Sequence, residues 1–141
     1  MNFLLDTNVV SEWVKPRPDP GVTTWLAEVD EDRVFLSVIT LAELRHGIQR
    51  MPHGIRRNRL NTWLAGELRD RFEQRVLTID APTADTWGFV MARGQARGRP
   101  IATMDGFLAA TAIRHDLTLV TRNVTDFEQI DIRLINPWRD G

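Results

Sequence analysis

With 141 residues, 43% of them hydrophobic and 26% charged, the chain has the length of one domain and a folded rather than a disordered composition. It contains no cysteine, which excludes disulfides and thiolate–zinc sites and fits a reducing compartment. The net charge of −1 argues against non-specific affinity for nucleic acid.

The opening Met1-Asn2-Phe3-Leu4-Leu5-Asp6 is too short an apolar run for a signal peptide or membrane span, so a cytoplasmic location is expected. Phe3–Leu5 reads as a first strand. After the Pro16–Gly21 turn region, Val22, Trp25, Leu26 and Val29 fall at i, i+3, i+4 and i+7 and predict an amphipathic helix. Val34–Val38 reads as a second strand. Leu41, Leu44, Ile48 and Met51 predict a helix beginning near Thr40, and Leu60, Leu64, Leu68 and Phe72 a longer one after Pro52, with Trp63 alongside. Val76–Ile79 is a third strand, and Pro82 starts a helix marked by Ala84, Trp87, Met91 and Gly94. Leu108, Ala109, Ala112 and Ile113 define the last clear helix, between it and the end of the chain lying strands at Leu117–Val120 and Ile132–Ile135. The Trp and Met residues on these faces read as core filling. Strands alternating with helices predict one α/β domain over residues 1–141, built on a parallel sheet covered on both faces. Ligands of such sheets bind beyond the carboxyl ends of the strands, where strand order reverses.

All basic residues but Lys15 are arginine, with one run formed by Arg45, His46, Arg50, His53, Arg56, Arg57 and Arg59 and a second group at Arg93, Arg97 and Arg99. Arginine suits phosphate because its planar fork donates two parallel hydrogen bonds. Composition alone favours the plainer reading, solvated helix faces.

Four acids occupy suggestive places: Asp6 at the end of the first strand, Glu43 one turn into a helix, Asp105 opening another, and Asp126 just past the fourth strand. Each has an ordinary structural explanation. Asp6 or Asn8 could cap a helix, Thr40-x-x-Glu43 fits a capping box, Asp105 could be an N-cap, and Asp126 an Asx-turn residue. Jointly they say more. Glu43 lies across its helix from Leu41, Leu44 and Ile48, and Asp105 shares a face with the small Ala109 and Ala112, which let a helix approach its neighbour. Carboxylates crowded at one sheet edge raise one another's pKa, a penalty that a divalent cation removes. Oxygen ligands without Cys, and with His46, His53 and His115 at no ligand spacing, suit Mg²⁺ or Mn²⁺ and not zinc.

The stretch Phe3-Leu4-Leu5-Asp6-Thr7-Asn8-Val9-Val10-Ser11-Glu12 resembles the first motif of PIN-domain ribonucleases of the VapC/FitB toxin type. Ser37-Val38-Ile39-Thr40-Leu41-Ala42-Glu43-Leu44-Arg45-His46-Gly47 resembles the second, Asp105-Gly106-Phe107-Leu108-Ala109-Ala110-Thr111-Ala112 the third, and Leu119-Val120-Thr121-Arg122-Asn123 through Asp126-Phe127 the fourth. The resemblance implies a three-layer α/β/α fold with about five parallel strands and an Mg²⁺- or Mn²⁺-dependent endoribonuclease, the toxin of a type II toxin–antitoxin pair. Carried over position by position, Asp6 and Asp105 would be the principal metal ligands and Glu43 would complete the cluster and help position or deprotonate a water. Asp126 matches the fourth, most variable acidic position. Thr7, Asn8, Thr121 and Asn123 could hold waters or phosphate oxygens. Glu12 reads as surface or partner-facing, and Asp80, before Ala81-Pro82, as a helix entry. The implied partners are an RNA substrate and a small antitoxin whose tail crosses the acidic pocket and whose N-terminal part binds DNA. The assembly would be a homodimer, or a hetero-oligomer with antitoxin on operator DNA. The helix pair from Thr40 to Phe72, with its arginines, could serve either interface.

Two other enzyme classes fail on particular residues. A haloacid-dehalogenase-like phosphatase needs a second Asp two positions after the first, where Asn8 stands, and a receiver domain needs a lysine at the far sheet end, whereas Lys15 lies in a proline-rich turn. The non-enzymatic alternative is a PIN-like protein-binding subunit with an inert pocket, which would typically have lost one or more of the acids retained here.

Overall fold

The computed structural model describes residues 1–138; the last three residues of the expected 1–141 domain lie outside that range. Five parallel strands run in the order β3-β2-β1-β4-β5, with β1 Asn2–Leu5, β2 Val34–Ser37, β3 Val76–Leu77, β4 Leu117–Val120 and β5 Leu134–Ile135. The helices are α1 Thr7–Glu12, α2 Pro20–Glu28, α3 Val38–Gln49, α4 Ile55–Thr62, α5 Arg69–Arg71, α6 Ala81–Ala96, α7 Thr103–His115 and α8 Val124–Phe127. This is the expected three-layer α/β/α architecture. The third and fifth strands are shorter than their apolar runs, because both are edge strands with a neighbour on one side only.

Alternation along the central strands divides the core in two. Leu5, Val34, Leu36 and Val120 point into a cluster with Val9, Val22, Leu44, Leu64, Leu68 and Phe72 from the first helices. Leu4, Leu117 and Leu119 point the other way, against Val90, Leu108, Ala109, Ala112 and Phe127. Strands covered on both faces are buried throughout, which is why Leu4-Leu5 and Leu119-Val120 are continuously apolar and even Thr118 is sealed from solvent.

Side-chain caps place four of the eight helix starts, those of α1, α2, α3 and α6. Asp19 accepts from the Val22 amide at 3.1 Å, with Pro20 in the first turn, and Asp80 accepts from the Thr83 amide at 2.9 Å, the helix entry expected for it. The second helix start differs from expectation. Strand β2 passes straight into α3, and Ser37 caps it by accepting from the Ile39 amide at 3.0 Å. Thr40 is therefore buried in the first turn rather than capping it, no Thr40–Glu43 capping box forms, and Glu43 is free to face another element. Likewise α7 begins at Thr103 with Ala102 at the N-cap, so Asp105 is its third residue and not its cap.

Between α4 and α5 the helical run continues through a π-helical segment, Trp63–Leu68. Leu60, Leu64, Leu68 and Phe72 recur every four residues, roughly 0.4 residue per step ahead of the 3.6-residue turn. A wider turn absorbs that excess and keeps Leu64, Leu68 and Phe72 buried together. Among the described residues no helix is long and apolar enough to cross a membrane.

Candidate active site

Strand order reverses between β1, which leads to β2 on one side, and β4, which enters on the other. The four acids approach the crevice beyond the carboxyl ends of these two strands, near enough for the charges of Asp6, Asp126 and Glu43 to act on Asp105. Asp6 follows β1 directly; its amide extends the ladder by donating to the Val120 carbonyl at 2.9 Å. It also caps α1, Oδ1 accepting from the Thr7 amide at 2.7 Å. From β4, the buried Thr121 hydroxyl donates to Asp6 Oδ2 at 2.8 Å and in turn accepts from the Asn123 amide at 3.0 Å. Both carboxylate oxygens of Asp6 are thus held, one from the start of α1 and the other from the end of β4.

Glu43 arrives from α3, and the Thr7 hydroxyl donates to its Oε1 at 2.7 Å. Asp105 projects from the first turn of α7, and Asp126 from α8. The four carboxylates feel one another. Burial and then the negative charges of Asp6, Asp126 and Glu43 push the Asp105 carboxyl up from 3.8 to about 6. Burial raises Asp6 as well, opposed by the Thr121 and Thr7 hydrogen bonds and reinforced by the Glu43 and Asp126 charges.

Among the described residues no group of three or more acidic or histidine side chains stands ready to hold an ion jointly. The acids share a field but do not form an all-protein cage. That donor set fits magnesium, which keeps several waters and binds through one or two carboxylates plus substrate phosphate. A tightly ligated structural ion is a poorer fit.

Of the smaller candidates, Thr7 and Thr121 orient Glu43 and Asp6. Asn8 sits at the rim, its Oδ1 3.5 Å from the Arg122 amide, and Asn123 contributes its backbone amide. A groove of about 460 Å³ runs away from Asp105 and Asp126 between Arg99, Pro100, Thr125 and Gln129. A second, more apolar cavity of about 270 Å³, lined by Phe89, Val90, Ile101 and Ile113, includes none of the four acids.

Glu12 corrects the sequence reading. It is 3% exposed rather than on the surface, accepting from the Asp19 amide at 2.8 Å and pairing with Lys15 Nζ at 2.5 Å. Its carboxylate serves the polar backbone of the Pro16–Asp19 turn, which would otherwise lack an acceptor where α1 hands over to α2. Lys15, three residues on, was the one local sign of an ion pair.

Acidic side chains gathered at the switch point of a parallel sheet, with threonines orienting two of them, define a class of small α/β proteins with a hydrophilic, acidic crevice. The PIN domain model matches residues 3–133, and the chain belongs to the PIN-domain family. Toxin FitB of Neisseria gonorrhoeae is 39% identical over 138 residues, covering 98% of this chain and 99% of that protein. VapC ribonuclease Y4jK of Sinorhizobium fredii is 38% identical over 96% of this chain and 97% of its own length. The solved structure of FitAB bound to an IR36 DNA fragment superposes with a TM-score of 0.91 at 36% identity, covering 97% of this chain and 96% of that one.

Proposed function

We propose that this chain is a divalent-metal-dependent endoribonuclease, with Mg²⁺ or Mn²⁺ as cofactor, and the toxin of a toxin–antitoxin pair. The observation that carries this reading is the approach of Asp6, Glu43, Asp105 and Asp126 from four separate elements, where burial and then the charges of the other three acids push Asp105 up to about 6. Its similarity to a VapC ribonuclease and to toxin FitB supports the substrate class and the biological role.

Asp6 and Asp105 would hold the cation, and Glu43 would complete the set. When bound, the cation supplies charge neutralisation and Lewis acidity toward a phosphodiester, lifting the repulsion that four carboxylates would otherwise present to RNA. Thr121 and Thr7 hold Asp6 so that it need not reorganise on binding. Glu43, oriented by the Thr7 hydroxyl, would accept a proton from an attacking water. Asp126, more exposed, shapes the mouth of the groove, across which Arg99, in a loose surface pair with Glu128 at 3.7 Å, would turn to a neighbouring phosphate. Asn8 and Asn123 would contact substrate or waters at the rim.

For the antitoxin we propose the face of α4 and the π-helical segment. There Val14, Leu60, Trp63 and Ile55, the last 72% exposed, form an apolar floor flanked by Arg56 and Arg59. That combination suits an acidic amphipathic segment. With a net charge of −1, this chain is a poor DNA binder by itself, so operator contact would come through the partner, in an assembly of toxin copies. The decisive experiment is cleavage of RNA by purified protein with Mg²⁺ or EDTA, beside Asp6→Asn and Asp105→Asn. Metal-dependent cleavage lost in both variants is expected. Equal cleavage by all three proteins would mean a contaminating nuclease, and a folded parent without activity would favour an inert binding subunit.

A further inference from the structure

The first turn of α7 presents a physical problem. It carries Asp105, repelled by three other acids, yet it has no capping side chain, because Ala102 occupies the N-cap. The helix dipole favours an anion there only modestly. Ends of helices are also the parts that fray. Something outside α7 has to hold that turn.

Helix α6 does so through three contacts made by one side chain. The Trp87 indole N–H donates to the carbonyl of Thr103, the first residue of α7, at 3.2 Å. The indole stacks on the Phe107 ring, with centroids 4.9 Å apart and planes 14° from parallel. Between these two points lies Gly106, where a Cβ would come within 2.6 Å of Met91 Sδ and 2.9 Å of Trp87 Nε1. Thr103, Gly106 and Phe107 follow the i, i+3, i+4 spacing of one helix face, and Asp105 leaves the helix roughly 150° round from it. The grip and the carboxylate are therefore on opposite sides of the same turn.

We propose that Trp87 is a positioning residue for Asp105, clamping the uncapped start of α7 so that its carboxylate stays in the crevice against the repulsion of Asp6, Glu43 and Asp126. This rests on the metal reading above. Gly106 is the counterpart of the clamp, since only the absence of a side chain lets the indole and Met91 come so close. Loss of the grip would let Asp105 relax outward, weakening metal binding while leaving the RNA-contacting surface intact.

The test is Mn²⁺ titration followed by electron paramagnetic resonance on parent, Trp87→Phe, Trp87→Ala and Gly106→Ala, with the exposed Phe89→Ala on the same helix as control. Outer-shell partners of metal ligands commonly change affinity by about tenfold or more, and for a group one step further out about three- to tenfold is expected. Trp87→Ala and Gly106→Ala should bind Mn²⁺ that much more weakly, with kcat lowered and KM for RNA unchanged. Trp87→Phe, which keeps the stack and loses only the N–H donor, should fall between them and the parent, and Phe89→Ala should match the parent. A purely structural role would lower the melting temperature without moving Mn²⁺ affinity. Parent-like Mn²⁺ binding by folded Trp87→Phe and Gly106→Ala therefore overturns the clamp alone, whereas a parent that takes up no Mn²⁺ removes the metal reading and the clamp with it.

Discussion

Thr121 and Asp6, 115 positions apart in the chain, are joined by a 2.8 Å hydrogen bond in which the threonine hydroxyl donates to Asp6 Oδ2. The bond spans the two strands between which the sheet order reverses, so the device that fixes the first acid is built from the switch point itself. Every other part of the crevice is arranged around it.

Replacing Thr121 by Val keeps the shape and removes the donor. Asp6 Oδ2 is then left buried without its partner, and destabilisation of about 1–3 kcal/mol is expected at pH 7 by urea unfolding. The deficit should shrink in acid, where Asp6 takes up a proton. A variant as stable as the parent at neutral pH would show that this bond does not hold the site.

Asp105 and Asp6 both have carboxyls raised in the folded state, Asp105 to about 6. Each therefore binds its proton more tightly folded than unfolded, and the free energy of unfolding falls as pH rises from 3.8 through about 6. For Asp105 the loss is about 1–2 kcal/mol, less than the full shift implies because the group is half-open to solvent and screened. In EDTA the melting temperature should decline across that window, and Asp105→Asn should be more stable than the parent at pH 7. Saturating Mg²⁺ should recover the loss in the parent only. A flat pH profile in EDTA would contradict the crowding of the acids.

Glu43→Gln retains an oxygen for the Thr7 hydroxyl and loses the basic carboxylate. Single-turnover cleavage should fall by about 10²- to 10⁴-fold with little change in stability. Asp126→Asn, at the more exposed mouth, should cost less. If Asp126→Asn proves the more damaging of the two, the roles given to these acids are reversed.

Glu12→Ala leaves the Asp19 amide and Lys15 without their acceptor. A loss of about 1–3 kcal/mol is expected on denaturant unfolding, chiefly from the Asp19 amide left without its acceptor, since Lys15 is half exposed and water can take up its charge. The cleavage rate per folded molecule should stay at the parent value, which separates this acid from the four in the crevice.

Much of this protein was legible without a structure, because the informative signals were local. Apolar runs of strand length, helical spacing after Pro20 and Pro82, and acids just beyond strands identified the layers and the candidate acids, Asp6, Glu43, Asp105 and Asp126, that the sheet brings to one edge. What local pattern could not assign were partners. Glu12 and Glu43 are both glutamates on helices, yet one is sealed under a turn and the other faces Thr7 across the crevice. Ser37, not Thr40, caps α3 because β2 runs into the helix without a loop. Trp87 read as core filling until the close approach at Gly106 put its N–H on α7. Propensity and periodicity are properties of neighbouring residues and survive in the sequence. Which donor meets which carboxylate depends on strand order and helix packing over tens of residues, and only the assembled fold decides it.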